Sequence, residues 1–189
     1  MKLIRAAALL IAAFILSQAS FSQYSANKEK TVKVGGAPMY PSKNIVQNAV
    51  NSKDHTTLVA AVKAAGLVET LQGAGPFTVF APTNEAFSML PAGTVDMLLM
   101  PENKSKLAGI LTYHVVAGNW DVKSLEKLIK DGGGKAEITT VAGGKLWAMK
   151  KDKVIWIKDE KGGVAKITIA DVYQSNGVIH VIDHVLMPK

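Results

Sequence analysis

The chain has 189 residues with 22 Lys+Arg, 15 Asp+Glu and 4 His, a formal charge of +7, and no cysteine. Without cysteine there is neither a disulfide nor a lipidated cysteine to tether the chain to a membrane, so stability has to come from a packed core. Arg5 is the only arginine; a surface whose cations are all lysine lacks the planar forks that read phosphates and base edges, which argues against sequence-specific nucleic-acid binding.

Residues 1–5 carry Lys2 and Arg5, residues 6–16 form an unbroken apolar run, and small and polar residues follow up to Ser22. That order predicts a secretory signal peptide over residues 1–22, cut after Ser22 or after Ala19. The run is about half the roughly 20 residues a membrane-crossing helix needs, and no later segment is apolar for as long. Its removal leaves 20 cations against 15 carboxylates, a balance of +5, on about 165 residues, the size of one ordinary domain. A positive field of this size leaves weak attraction to acidic polysaccharide or anionic surfaces open, although lysines that merely keep the chain in solution explain the same charge. Residues 23–42 are polar, contain Gly35, Gly36, Pro38 and Pro41, and have no sustained apolar period, which predicts a flexible leader ahead of one domain over residues 43–189.

Over residues 44–71, Ile45, Val46, Val50, Leu58, Val62, Ala65, Leu67, Val68 and Leu71 recur at three- and four-residue steps, predicting two or three short helices. Gly73, Gly75 and Pro76 break the pattern, and residues 77–80 read as a buried strand that stops at Pro82. Thr83 is placed to cap a helix over residues 84–89. A further helix is expected over residues 104–113, with Leu107, Ile110 and Leu111 on one face. Asp121 should cap another, with Leu125, Leu128 and Ile129 inward and Gly132 to Gly134 ending it. The last third changes to period two. Runs at residues 138–141, 145–149, 154–158, 164–169 and 178–187 are separated by turn signals at Gly143-Gly144, Lys151-Asp152, Gly162-Gly163 and Asn176-Gly177, which suits an antiparallel meander. Helices first and strands second predict an α+β domain.

Three segments carry a family resemblance. Phe77-Thr78-Val79-Phe80-Ala81-Pro82-Thr83-Asn84-Glu85-Ala86-Phe87 resembles the first homology box of the fasciclin domain. Tyr113-His114-Val115-Val116 resembles its tyrosine-histidine motif, and Gly177-Val178-Ile179-His180-Val181-Ile182-Asp183 with Val185-Leu186-Met187-Pro188 resembles its second box. All three stand in the family's order and cover most of residues 43–189; His184 and Ala117 depart from the commonest pattern. The resemblance implies a wedge of β-strands with helices packed at one end, in a secreted or cell-envelope adhesion module that binds another extracellular protein or a polysaccharide through its surface. Thr78, Val79, Phe80, Ala81, Pro82, Thr83, Asn84, Phe87, Gly177, His180, Val181 and Asp183 are then structural. In the second box Val178, His180 and Ile182 alternate with Ile179 and Val181, so the strand should be central and buried on both sides.

Among the four histidines, His180 and His184 would face one ion on a helix, but on a strand they stand about 13 Å apart, too far to share a metal at ligand distances of about 2 Å. His114 and His180 read as hydrogen-bonded core or boundary residues. There is no nucleophile elbow, phosphate-binding glycine loop or dinucleotide fingerprint, so neither catalysis nor a cofactor is expected. Asp152, Asp159 and Glu160 fall in predicted turns among lysines, where solvated charge is the ordinary explanation. The resemblance also marks Asp171-Val172, with Tyr113 and His114, as similar to reported partner-contact motifs. Against that, Val172 fits the core, Asp171 a strand-end turn, and Tyr113 and His114 packing. Two alternatives remain: a carrier of a small apolar ligand such as a pigment, as some relatives are, and an envelope structural protein with no tight partner.

Overall fold

The computed structural model describes residues 29–189; the predicted signal peptide and the first residues of the predicted leader lie outside them. The described chain begins with a hairpin of β1 (Val32–Val34) and β2 (Ala37–Met39), so the expectation of a flexible leader over residues 23–42 is corrected for residues 32–39. Val34 and Met39 are only 4% and 3% exposed and belong to the core. Lys53 N donates to Gly35 O at 3.1 Å, and a Cβ on Gly35 would sit 2.7 Å from the Asp54 amide nitrogen, so the turn is pressed against the following segment. Asn48 secures the hairpin's exit, accepting from Tyr40 N at 3.0 Å and donating to Tyr40 O at 2.8 Å.

Three short helices follow, as the apolar steps predict: α1 (Ile45–Ala49), α2 (Thr56–Ala65) and α3 (Val68–Gln72). Asn44 and Gln47 form a reciprocal capping box on α1. Val50, expected inward, lies past the end of α1 and is exposed. Next come β3 (Phe77–Pro82) and α4 (Asn84–Ser88), with Thr83 Oγ1 accepting from Ala86 N at 3.2 Å as the predicted cap. After α5 (Thr94–Leu99), α6 (Lys104–Tyr113) buries Leu107, Ile110 and Leu111. The short β4 (Val115–Ala117) leads to α7 (Val122–Asp131), capped by Asp121 at 2.8 Å and burying Leu125 and Ile129.

The meander comprises β5 (Lys135–Thr139), β6 (Lys145–Lys151), β7 (Val154–Lys158), β8 (Val164–Gln174) and β9 (Gly177–Ile182), each antiparallel to the next. Asp152 and Lys153 both have positive φ, 51° and 67°, the signature of a two-residue mirror-image turn that matches strand twist and fixes the β6–β7 register. Seven strands form one sheet in the order β4-β3-β9-β8-β7-β6-β5. Within it β3 and β9 run parallel, from Phe77 opposite Gly177 to Pro82 opposite Ile182. Val141 N donates to Val115 O at 2.7 Å, so the β5–β6 turn reaches β4 and the two ends of the sheet nearly meet. The segment expected as strand up to residue 187 leaves the sheet after Ile182, although Leu186 remains buried.

Two hydrophobic cores flank the central strands. One joins the hairpin and α1 to α6 with Val79 and Ala81 of β3 and Ile179 and Val181 of β9. The other joins α7 and the inner face of β5 to β8 with Phe80 and Ile182. All six residues of β9 are buried, as its unbroken apolar character predicts for a strand covered on both faces.

Candidate functional site

Tyr113 and His114 end α6, and the helix terminus aims both side chains inward; they are 0% and 2% exposed. The Tyr113 hydroxyl donates to Lys145 O at 2.7 Å and accepts from Glu160 N at 3.1 Å. Burial pushes its pKa up to about 12. His114 Nδ1 lies 2.8 Å from Ile110 O, while Nε2 is 2.9 Å from Leu186 N. A carbonyl can only accept and an amide can only donate, so the ring is held neutral with its proton on Nδ1. Burial holds its pKa down at about 4. The motif thus fastens the end of α6 to β6 and to the C-terminal segment.

Asp159 sits beside this group, and the expectation of a solvated turn residue is corrected there. It is buried, accepting from Gly163 N at 2.6 Å and from Met187 N at 2.9 Å. Both bonds reach backbone amides, which no local sequence pattern marks.

A second network surrounds His180. Its Nε2 lies 2.8 Å from Trp120 O and its Nδ1 accepts from Asp171 N at 3.3 Å, again defining one neutral form. The ring stacks on Phe80, with centroids 5.9 Å apart, and burial lowers its pKa. Thr78 Oγ1 completes the arrangement, donating to Gly118 O at 2.7 Å and accepting from Trp120 N at 2.8 Å. Asp171 is not at a strand end but within β8, at a register shift, with φ of +56°. Its Oδ1 accepts from Val122 N at 2.8 Å, holding the start of α7 against the sheet. The next residue, Val172, is 1% exposed.

The four residues expected to share a contact surface therefore do not form one. Tyr113 and His114 are buried, while Asp171 and the 1%-exposed Val172 border a recess of about 350 Å³ edged by Lys30, Val32, Pro41 and Tyr173, where Asp171 is the more accessible of the two. Other family positions also meet the backbone of neighbouring elements. Asn84 Oδ1 accepts from Thr57 N at 3.0 Å, tying α4 to α2, while Asp183 Oδ1 accepts from Lys166 N at 2.7 Å. Gly177 lies so close to β3 that a Cβ would sit 1.9 Å from Phe77 O.

One partly open apolar pocket carries no motif in the sequence. A cavity of about 90 Å³ lies under α1 to α3, lined by Val34, Leu58, Val62, Leu71, Phe77 and Ile179. His55 borders it, 3% exposed, with Nδ1 2.8 Å from Ser52 Oγ and Nε2 without a hydrogen-bond partner among the described residues. The backbone of Ala81 is nearby but short of bonding geometry, and burial lowers the pKa of the ring. Among the described residues no cluster of three His, Asp or Glu could hold a metal, and no helix is long and apolar enough to cross a membrane.

An α+β wedge with inward-turned motif residues, whose polar atoms mostly meet backbone, defines a scaffold class. The sequence matches the Fasciclin domain family over residues 53–188, so the chain belongs to that family. It is 48% identical to Protein sll1483 of Synechocystis over 85% of this chain and 82% of that protein. It is 38% identical to Immunogenic protein MPB70 of Mycobacterium bovis, covering 74% of this chain and 66% of that one. To Transforming growth factor-beta-induced protein ig-h3 of Sus scrofa it is 41% identical over 69% of this chain but only 17% of that much longer protein. The domain pair from the insect cell adhesion molecule Fasciclin I shares the fold, with a TM-score of 0.70 at 17% identity over 84% of this chain and 58% of the insect chain.

Proposed function

We propose that the chain is an exported, non-catalytic adhesion module that binds an extracellular protein or polysaccharide through its outer surface. The carrying observation is that the family segments spend their polar atoms internally: Tyr113, His114, Thr78, His180 and Asp171 bond mainly to backbone groups of neighbouring elements. Such residues fix the shape of the scaffold, and recognition is left to side chains outside it. Asp171, through the recess beside it, is the one proposed contact from the family motif that can reach a partner. The likeness to a cell adhesion molecule supports the reading at the level of fold.

The test is attachment of the folded chain to surfaces coated with matrix protein or polysaccharide, with heat-unfolded chain as the control for nonspecific lysine binding. Selective, saturable attachment by the folded form alone is expected; equal attachment by both forms overturns the proposal.

The cavity beside His55 favours a second reading, carriage of a small apolar ligand with one polar atom for Nε2. Its volume is below the cavity on the order of 150 Å³ that accepts benzene in an engineered protein. A pigment would therefore overrun the pocket unless its walls moved apart. Solvent extraction of protein purified from its source, followed by mass spectrometry, is expected to yield a stoichiometric small molecule if this reading holds, and none if it fails.

A further inference from the structure

The β5–β8 sheet has two different faces. Toward α7 it presents Ala136, Ile138, Leu146, Ala148, Ile155, Ile157, Ala165 and Ile167, all buried. The opposite face carries the alternate residues, half-buried or exposed, and period two with the observed register brings them into rows. In one row Glu137, Trp147, Lys158 and Val164 lie side by side across four strands; in the next stand Lys135, Met149, Trp156 and Lys166. Trp147 and Trp156 are thus diagonal neighbours on adjacent strands, a separation of about 7–8 Å. Lys151 adds a further cation on the same side of β6, and Lys135 Nζ lies 4.8 Å from the centre of the Trp147 ring. Lys145 is paired with Glu137 at 3.1 Å, whereas Lys135, Lys151, Lys158 and Lys166 have no ion-pair partner among the described residues.

Lysines alone would account for a soluble sheet face. Two half-buried tryptophans at its centre are not needed for that purpose, since each still leaves part of a large apolar ring at the surface. Together they form a platform about 14 Å wide, from four strands about 4.8 Å apart, with aromatic rings in the middle and unpaired ammonium groups around them. Aromatic rings stack on the carbon-hydrogen faces of sugar rings, and dispersed point charges suit carboxylates repeated along a chain better than a single phosphate fork would require.

We infer that the outer face of β5–β8, centred on Trp147 and Trp156 and edged by Lys135, Lys151, Lys158 and Lys166, binds an acidic polysaccharide. This rests on the adhesion reading and supplies it with a surface and a partner class. The test titrates the folded chain with alginate, a polyuronate, following tryptophan fluorescence and gel retardation at low and moderate salt. Dextran and oligo-dT serve as neutral-sugar and single-stranded nucleic-acid comparators. Alginate binding that weakens with salt is expected, about tenfold weaker in the W147A/W156A pair and about tenfold weaker, with a flatter salt dependence, in K158Q/K166Q. The milder W147F/W156F pair keeps most of the binding and serves if the alanine pair does not fold. Unchanged alginate affinity in K158Q/K166Q, or in a W147A/W156A pair that folds, overturns the inference, as does equal affinity for dextran or oligo-dT. A wild-type chain that attaches to protein-coated surfaces but ignores alginate overturns this inference and leaves the adhesion reading standing; failure on every surface removes both.

Discussion

The β3–β9 pair and the β5–β8 ladder belong to one sheet but answer to different constraints. The first is covered on both sides, so Phe80 and Ile182 enter one core while Val79, Ala81, Ile179 and Val181 enter the other. The second is covered on one side only, and every other residue is left to solvent. Two of the family segments lie on the doubly covered pair, whereas the aromatic and cationic platform lies on the singly covered ladder. On the proposed reading, the residues that identify the family hold the frame, and the freedom to acquire a partner sits where one face of the sheet is unconstrained. If so, substitutions should separate cleanly: large stability effects on the pair, small ones on the outer ladder.

The sharpest way to break this contrast is Gly177→Ala. The added carbon would sit 1.9 Å from Phe77 O, at the first rung of the parallel pair, where only backbone could give way. A loss above about 4 kcal/mol, or failure to fold, is expected by urea denaturation. A loss below about 1 kcal/mol would mean that the pair yields easily and is not the frame.

Next in size is His114→Phe, which keeps the ring volume but leaves Leu186 N and Ile110 O without their side-chain partner. Orphaned buried groups cost about 1–3 kcal/mol each, so a loss of about 2–4 kcal/mol is expected. The wild type should also be acid-sensitive. His114 is neutral when folded, with its pKa lowered from 6.5 to about 4, so the unfolded chain takes up a proton that the folded chain refuses within that window. The contribution is complete above pH 6.5 and lost by about pH 4, on the order of 3 kcal/mol. His180 and His55 shift in the same direction by burial. Urea midpoints measured at pH 7.5, 6 and 5 should fall in that order, and His114→Phe should flatten the slope.

Asp171 tests whether a family position acts by shape or by contact. Asp171→Ala loses the bond from Val122 N and places alanine at φ of +56°, so about 1–2 kcal/mol should be lost. Asp171→Asn keeps an acceptor and tolerates the conformation, and should lose less than about 0.5 kcal/mol. If Asp171→Asn folds normally yet loses attachment, the carboxylate itself meets the partner.

Much of this frame was legible in sequence because the controlling interactions are local or periodic. Thr83 and Asp121 cap the helices they precede, the step pattern marks α1 to α3 and α6, and the uninterrupted apolar run of β9 announces burial on both sides. The misses are long-range. The β1–β2 hairpin has three-residue strands, too short for a period, and becomes core through contacts with the helices and through Asn48. Asn48 also bonds to Gln174, distant in sequence. Asp171 looked like a strand end because β8 bulges there and continues to Gln174. His55 carries no motif, and its isolation is a property of the cavity. The Trp147 and Trp156 platform had a signal available: each lies one residue from a buried aliphatic in an alternating run, and the two-residue turn at Asp152-Lys153 fixes which residues face each other.

The smallest predicted effect decides whether the ladder's outer face is as free of structural duty as the contrast requires. Lys158→Gln and Lys166→Gln remove charges that have no ion-pair partner among the described residues, while glutamine keeps a polar side chain of similar stem at the positions paired with Trp147 and Trp156. Half-buried surface charges without an ion-pair partner are worth less than about 0.5 kcal/mol, and removing two like charges from one face relieves repulsion rather than breaking an attraction. Thermal unfolding of the double variant at neutral pH should therefore match the wild type or rise slightly, and the difference should shrink with added salt. A loss above about 1 kcal/mol would show that the lysines brace the tryptophans within the fold, and the outer face would then be frame as much as β3 and β9 are.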